Sequence, residues 1–281
     1  MIIDNTLCFI GTAIDQRGED LTRALNIGNQ VVELDFDISN YTLKVDDKQV
    51  GIIGLSKYLT ELILKSEYNQ VLIESTILGF VEVLLLLKWF ARSDLMSVNI
   101  IYAEPSEYKL RTNYMNDFGK HEFDLSTHSE GFKAIPGFAK ALTQSQKAIL
   151  ISSMGFERSR LGQLLSLDDG AYIHSVLPIQ AGWDKHSFFQ NVETLSDKGI
   201  KPQFVSANSP LDMLYMLQFI KDSYVDEEIT LAPLGTKPLS IASAVFLINN
   251  PEVTLKYDHP KRKGRRSTGL GKIHLYAIDK S

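Results

Sequence analysis

The sequence predicts an α/β protein made of two Rossmann-like layer domains with mainly parallel sheets, and three observations support this. Each half alternates short apolar, β-branched segments with longer segments of helical periodicity. Strand, helix and strand in close succession require crossover connections, which give parallel sheets with helices on both faces. The length of 281 residues is enough for two domains, and 44% hydrophobic with 22% charged residues excludes fibrous and wholly disordered proteins.

The first half is predicted to end in a β-α-β-α-β run. Its strands are expected at 6–10, 31–36, 41–45, 70–74 and 98–103, and its helices at 53–65 and 79–92. The apolar run 77–91 contains Glu82 and Lys88. It is interpreted as a core helix, because a membrane span needs roughly 20 mostly uncharged residues.

The second half shows the pattern of a doubly wound domain, with five strands alternating with four helices. Its strands are expected at 148–152, 172–177, 203–206, 229–232 and 253–257, and its helices at 158–165, 184–195, 210–224 and 238–249. A last strand at 273–278 is expected at an antiparallel edge of this second sheet. The predicted domains are therefore 1–110 and 148–281, joined by a partly packed linker at 111–147.

Cysteine and histidine usage bears on compartment and metal binding. The chain has a single cysteine, Cys8, and no N-terminal secretion signal pattern, so a cytoplasmic protein is expected. Cys8 lies in an apolar strand, where it should act as a small hydrophobic residue. The histidines lack metal-ligand spacing, so no metal site is assigned and no cofactor is named. They are His121, His128, His174, His186, His259 and His274.

The net charge of -5 is unevenly distributed. Residues 256–272 contain seven Lys or Arg and one acid, Asp258, which leaves the rest of the chain with a balance of -11. This basic loop could attract an anion, a nucleic acid or a partner protein, although a solvated loop is the simpler interpretation. Within 261–266, five of the six residues are basic and no aromatic residue interleaves with them, so base stacking is not supported. The candidate contacts are Lys261, Arg262, Lys263, Arg265 and Arg266.

In an open parallel sheet, ligands bind beyond the carboxyl ends of the strands, where helix N-termini converge. The turn 235–238 after the strand 229–232 is the most informative of these places. Pro238 suits the first position of a helix, Gly235 allows a ligand to approach the backbone, and Thr236 and Lys237 supply a hydroxyl and an ammonium group. A phosphate group at this turn would find hydrogen-bond donors and a positive charge. The alternative is an ordinary helix start with a solvated lysine.

This strand, the Gly-Thr-Lys-Pro turn and the following helix rich in small residues resemble the Gly-Thr-Lys turn of the CRISPR-associated Rossmann fold (CARF) domains. CARF domains sense nucleotide second messengers in bacterial and archaeal antiviral defence. The resemblance covers about the last 135 residues, and it implies ligand contacts for Gly235, Thr236 and Lys237.

Other strand ends of the second half add candidate ligand contacts. Gly155, Glu157 and Arg160 open the helix after the strand 148–152, where Glu157 could accept from a base or ribose and Arg160 could meet a phosphate. The alternative is that Glu157 and Arg160 pair with each other across one helical turn. A capping set with Ser209 at the N-cap leaves Asn208 available for a ligand.

The first half offers a possible acidic crevice, made of Glu74, Ser75, Thr76 and Glu104, with further polar candidates after its strands. Those further candidates are Gly11, Thr12, Asp15, Arg17 and Tyr108. Two carboxylates at neighbouring strand ends could act as general acid and base if they converge. Paired acids are also common in solvated crevices by chance.

Three functions remain in competition on the sequence alone. The leading interpretation is a cytoplasmic sensor for a nucleotide or similar phosphorylated ligand, within a prokaryotic antiviral defence system. The second is an enzyme in which Glu74, Glu104 and Glu157 act on a nucleotide or phosphorylated substrate between the two domains. The third is a nucleic-acid-binding accessory protein that uses the basic loop at 261–266. A homo-oligomer is compatible with each, and no membrane partner is expected.

Overall fold

A computed structural model describes residues 5–66, 68, 70–108, 125–138, 148–167, 172–179, 185–265 and 267–280. The chain divides into two compact units. Unit 1 comprises Met1–Glu107 with Ser267–Ser281, and unit 2 comprises Tyr108–Arg266. The predicted α/β class with mainly parallel sheets is confirmed. Most of the predicted linker at 111–147 lies outside the described residues.

Unit 1 is built around a seven-stranded sheet with the order β14-β6-β5-β1-β2-β3-β4. Strands β6, β5, β1 and β2 are parallel neighbours, while β2, β3 and β4 form an antiparallel meander. The elements are β1 (Thr6–Gly11), α1 (Gln16–Leu25), β2 (Gln30–Asp37), β3 (Thr42–Val45), β4 (Lys48–Gly51), α2 (Ile52–Lys65), β5 (Gln70–Glu74), α3 (Phe80–Arg92), β6 (Ser97–Tyr108) and β14 (Ser267–Asp279).

Alternation along β1 fills the core on both faces of this sheet. Cys8 and Ile10 pack with Leu25 of α1, whereas Phe9 meets Trp89 of α3 edge to face, with ring centroids 6.1 Å apart. Burial raises the pKa of the Cys8 thiol to about 12, which fits its expected role as a small hydrophobic residue. Among the described residues, no helix is long and apolar enough to cross a membrane.

Unit 2 is built around a five-stranded parallel sheet with the order β10-β9-β8-β11-β12. Strand order reverses between β8 and β11, so right-handed crossovers place α4 and α5 on one face and α6 and α7 on the other. The elements are β7 (Ser126–Ser129), β8 (Ala148–Ser153), α4 (Arg158–Leu167), β9 (Tyr172–Ile179), α5 (Lys185–Asp197), β10 (Pro202–Ser206), α6 (Pro210–Ser223), β11 (Glu228–Pro233), α7 (Lys237–Asn249), β12 (Thr254–Leu255) and β13 (Pro260–Arg262).

The last strand, β14, lies in a different sheet from the predicted one. β14 neighbours β6 at the edge of the seven-stranded sheet of unit 1, so its placement at the edge of the second sheet is wrong. Ser267 donates from its hydroxyl to the buried Asp15 carboxylate, and Lys280 N donates to Met96 O at 2.9 Å. These contacts join both ends of β14 to unit 1. They are made by polar groups, so the spacing of apolar residues in the sequence does not reveal them.

Helix α1 was not predicted, although a signal for it is present. Asp15 is its N-cap, and the Asp15 carboxylate accepts a hydrogen bond from Gly18 N at 3.0 Å. Leu21 and Leu25 are the buried apolar residues of this otherwise polar ten-residue helix. The N-cap residue and the i, i+4 leucine spacing together predict a helix where hydrophobicity alone does not.

Candidate functional site

The carboxyl edge of the five-stranded sheet is the candidate site, because its strand order reverses between β8 and β11. Two hydrogen bonds join the end of β8 to the loop that follows β11. Leu234 N donates to Ser153 O at 3.1 Å, and Gly235 N donates to the Ser153 hydroxyl at 3.2 Å. The loop after β9, at 180–184, lies outside the described residues. The described part of this edge is therefore a connected set of turns.

Close packing between these loops accounts for both predicted glycines. A Cβ on Gly155 would overlap the Leu234 carbonyl oxygen, and a Cβ on Gly235 would lie 2.9 Å from Ser153 Oγ. Asn191 of α5 also donates from Nδ2 to Gly155 O at 2.8 Å. Glycine is thus needed at both positions for contact between loops, and a ligand contact by Gly155 stays a prediction.

Gly155→Ala should destabilise the protein by about 1–3 kcal/mol, because the added methyl group must displace backbone in a packed loop. Gly162→Ala is the matched control, since a Cβ there meets nothing within 4 Å and Gly162 lies within α4. That change should stabilise by about 0.5–1 kcal/mol through helix propensity. Urea unfolding of the two variants measures both effects. Equal stability of Gly155→Ala and wild type would contradict the close approach of the loops.

The N-terminus of α7 is an accessible part of the described edge. Gly235, Thr236 and Lys237 are partly exposed, whereas every other residue of 231–244 is buried. Thr236 is the N-cap residue, but its side chain makes no capping hydrogen bond. Its hydroxyl donates instead to Ala207 O at 3.1 Å. Thr236 therefore does not cap the amide end of this 13-residue helix, which carries a partial positive charge.

The loop after β10 brings Asn208 to the same place. Asn208 is partly exposed and directly follows Ala207, whose carbonyl accepts from Thr236. The predicted cap of α6 is confirmed, because the Ser209 hydroxyl accepts from Asp212 N at 3.2 Å. The structure therefore brings Asn208 together with the turn that contains Gly235, Thr236 and Lys237.

The Glu157 carboxylate binds Leu125 and Ser126, which the sequence did not suggest as its partners. Its Oε1 accepts from Leu125 N at 3.2 Å and from Ser126 N at 2.8 Å, and its Oε2 accepts from the Ser126 hydroxyl at 2.8 Å. The carboxylate thus holds strand β7 and is not paired with Arg160 by a hydrogen bond. Its expected contact with a base or ribose has no support in this geometry.

Arg160 is also engaged within the protein. Its Nε donates to Asp258 Oδ2 at 2.7 Å and its Nη2 donates to Asp258 Oδ1 at 2.6 Å, a bidentate ion pair. The Asp258 side chain is fully buried and that of Arg160 is 16% exposed. Burial lowers the pKa of Arg160, but the hydrogen bonds and the charge of Asp258 outweigh it and raise that pKa above its ordinary value. Arg160 is thus held by Asp258 through Nε and Nη2, and its contact with a phosphate stays a prediction.

The contacts of Glu157 with Ser126 and of Arg160 with Asp258 hold a short antiparallel ribbon of β7 and β13. Residues Lys261 and Arg262 lie in β13, so part of the predicted basic loop is a strand. Lys261, Lys263 and Arg265 are exposed and Arg262 is partly exposed, while Arg266 lies outside the described residues. The basic segment, residues 261–266, thus begins three residues after the anchored Asp258.

The predicted acidic crevice of unit 1 is a packed turn. Glu74 is fully buried, and its carboxylate accepts from Thr76 N at 2.7 Å and Ile77 N at 2.9 Å. The Ser75 hydroxyl donates to Ile101 O at 2.9 Å, and the Thr76 hydroxyl accepts from Ala103 N at 2.9 Å. These residues shape the turn between β5 and α3.

The other unit 1 candidates also have internal partners. Asp15 caps α1, while Arg17 is buried and donates from Nη1 to Ala103 O at 3.0 Å. The Thr12 hydroxyl donates to Glu33 Oε1 at 2.5 Å. The backbone of Gly11 packs against Ile77, because a Cβ on Gly11 would lie 3.1 Å from the Ile77 carbonyl carbon. The Tyr108 side chain lies outside the described residues.

Sequence reasoning missed two residues that hold predicted ones. Asp258 binds Arg160, and His274 Nε2 lies 2.6 Å from Glu104 Oε1. The His274 ring stacks between Tyr102 and Tyr276, with centroids 6.0 and 6.1 Å away. Alternation along β14 puts His274 and Tyr276 on one side, which is a signal only once the strand's sheet is known. Among the described residues, no group of three His, Cys, Asp or Glu could hold a metal ion.

No family model, curated protein or solved structure matches this chain.

Proposed function

We propose that unit 2 is a sensor domain that binds a nucleotide or similar phosphorylated small molecule at the N-terminus of α7. The observation that carries this proposal is that Thr236 does not cap α7 with its side chain, while Gly235, Thr236 and Lys237 are partly exposed at the switch point of the sheet. The proposal extends to a CARF-type role in prokaryotic antiviral defence, on the likeness of this turn to the Gly-Thr-Lys turn of that family.

The chemistry of this end favours an anion of phosphate type. Backbone N–H groups at a helix N-terminus and the helix dipole stabilise negative charge, and the Lys237 ammonium group adds a full positive charge at the first helical position. Asn208 has an amide side chain suited to a sugar or base edge, and it follows the carbonyl that Thr236 contacts. Phosphate and a neighbouring polar group are the parts that a nucleotide supplies.

The basic segment supports the approach of such a ligand. Lys261, Lys263 and Arg265 are exposed on a chain whose net charge is -5, so they form a local region of opposite sign. Charges of this kind raise the rate at which an anion meets the protein, and their effect falls as salt is added. We assign these residues to attraction rather than to recognition.

The enzyme interpretation has less support from the side chains. Glu74 and Glu157 use their carboxylate oxygens to hold backbone N–H groups, and Glu104 is bonded to His274. A general acid or base must reach a substrate proton, and these contacts occupy the groups that would do so. We also propose a cytoplasmic location, because the single cysteine, Cys8, is buried and unpaired.

Calorimetric titration with mono-, di- and cyclic nucleotides tests the sensor function, with the parent nucleosides as phosphate-free controls. Binding of at least one nucleotide and none of the nucleosides is expected. Replacing Lys261, Lys263 and Arg265 with serine should flatten the salt dependence of the association rate, because long-range attraction is screened by salt. It should leave the affinity at high salt close to that of wild type. Failure of every nucleotide to bind would reject the proposal.

A further inference from the structure

The two-stranded ribbon of β7 and β13 continues into a turn that is rich in cations. Lys261 and Lys263 are exposed, Arg262 is partly exposed, and Arg265 is exposed in the turn after β13. We call β7, β13 and the chain as far as Arg265 the basic ribbon. The chain outside 256–272 has a charge balance of -11. A polyanion is therefore attracted to the basic ribbon and repelled by the net charge of the remaining chain.

A β-bulge places further polar side chains beside these cations. One step along β13, from Lys261 to Arg262, corresponds to two steps along β7, so Thr127 is an extra residue in β7. Thr127 and its neighbour His128 are both exposed. The Thr127 hydroxyl donates to Lys261 O at 3.2 Å, which joins the bulge to β13. Lysine ammonium and threonine hydroxyl groups are among those that bind nucleic-acid phosphates.

The basic ribbon is anchored on both sides, so its cations project from an ordered backbone. Before it, the buried Asp258 carboxylate accepts two hydrogen bonds from Arg160. After it, the Ser267 hydroxyl donates to the buried Asp15 carboxylate. Side chains on an ordered backbone lose less freedom on binding than those on a loose loop. The basic ribbon is in this respect unlike a solvated loop.

The spacing of the two exposed lysines matches the repeat of a DNA strand. Lys263 N donates to Leu125 O at 2.9 Å, so the pairing of the two strands continues one residue beyond β13. Lys261 and Lys263 therefore lie on one side of an extended backbone, about 6.6 Å apart along it. Two nucleotides of one DNA strand advance about 6.8 Å along the helix axis. The two ammonium groups can thus meet phosphates that are two nucleotides apart.

We propose that the basic ribbon binds duplex DNA independently of base sequence, by lying in the major groove with its cations on the phosphates. The major groove of DNA is about 12 Å wide and admits a two-stranded β-ribbon. The contacts to phosphates carry no sequence information. This DNA site is separate from the nucleotide site at the N-terminus of α7, and neither requires the other.

Other polyanions fit the basic ribbon less well. The major groove of duplex RNA is too deep and narrow for side chains to enter. Single-stranded nucleic acid is bound largely by stacking on aromatic residues, and 261–266 contains none. A membrane surface requires apolar side chains that enter it. The exposed residues of β7 and β13 are Thr127, His128 and Lys261, none of which is apolar.

Fluorescence anisotropy of the full chain with a short labelled DNA duplex tests the proposal through its salt dependence. Three phosphate contacts give a slope of about -2.7 for log K against log salt concentration, so raising salt from about 50 to about 200 mM should weaken binding about fortyfold. Lys261→Ser and Lys263→Ser should each make this slope shallower by about 0.9, equally for duplexes of different sequence. Absence of binding at the lower salt concentration, or a slope that neither variant changes, would overturn the proposal.

Three exposed lysines of unit 1 provide the matched control for charge. Replacing Lys44, Lys57 and Lys65 with serine lowers the net charge by three, as does replacing the three exposed cations of the basic ribbon with serine. The ribbon variant should lose about tenfold or more in affinity at low salt, and the control variant less than about twofold. Equal losses would assign the binding to general attraction and reject a site on the basic ribbon.

A duplex that contains glucosylated 5-hydroxymethylcytosine tests the groove. Its uncharged glucosyl groups occupy the major groove, because C5 of a pyrimidine faces that groove, and the duplex should bind about tenfold more weakly than the unmodified one. Equal affinity for the two duplexes would reject binding in the major groove. Tighter binding to single-stranded DNA, duplex RNA or phosphatidylserine vesicles than to the unmodified duplex would overturn the choice of DNA as the partner.

Discussion

Arg160→Ala is expected to destabilise the protein by about 3–5 kcal/mol, because it leaves the fully buried Asp258 carboxylate without a compensating charge. The guanidinium group donates to both oxygens of that carboxylate, at 2.6 and 2.7 Å. The substitution therefore removes both of these hydrogen bonds together with the positive charge. Urea unfolding measures the loss as a fall in the free energy of unfolding at an unchanged m-value.

A surface ion pair provides the control for this experiment. Lys133 Nζ lies 3.3 Å from Glu130 Oε2, and both side chains are more than a third exposed. Lys133→Ala should therefore change stability by no more than about 0.5–1 kcal/mol. If Arg160→Ala costs as little as Lys133→Ala, the bidentate pair does not anchor the segment after β12.

Replacing both partners separates the cost of a buried orphan charge from the worth of the pair. Arg160→Met combined with Asp258→Leu removes both charges while keeping apolar volume, and such exchanges are often neutral or stabilising. The double variant is expected to recover most of the stability that Arg160→Ala loses. The double variant should still lose the native position of the basic segment. β13 begins only two residues after Asp258, and the ion pair that holds this part of the chain is gone.

The elements of both sheets were predictable where their burial corresponds to a run of apolar residues in the sequence. Strands such as β5 and β8 are apolar because both faces are covered, and α3 is apolar because ten of its residues are buried. The ribbon strand β7 has the sequence Ser-Thr-His-Ser, and its hydrogen bonds go to β13 and to Glu157. A strand held by polar contacts leaves no apolar alternation to detect.

The candidate site was predictable where its residues are neighbours along the chain. Ser209 and its partner Asp212 are three residues apart, and the turn at 235–237 is continuous. Arg160 and Asp258 are separated by 98 residues, and Glu157 and Ser126 by 31. Their spacing of one helical turn suggested that Glu157 pairs with Arg160. In the folded chain each of them instead binds a residue that is distant in sequence and that tertiary packing brings close.

Lys237→Ala should weaken nucleotide binding by roughly tenfold to a hundredfold, because one charge-assisted contact is typically worth about 1.5–3 kcal/mol. Lys237 is the first residue of α7 and is partly exposed, so its ammonium group can reach an anion at the helix end. The free energy of unfolding should change by less than the free energy of binding, because the Lys237 side chain is partly exposed. Calorimetry and urea unfolding of the same preparation separate affinity from stability.

Lys201→Ala is the matched control, since it removes one exposed lysine from the same unit without touching the α7 N-terminus. Both variants lower the net charge equally, so a loss of affinity confined to Lys237→Ala identifies a local contact and not general attraction. Lys237→Arg should retain most of the affinity if charge alone is needed there. Equal affinities of Lys237→Ala and Lys201→Ala for a nucleotide that binds would show that the phosphate lies elsewhere than at this helix end.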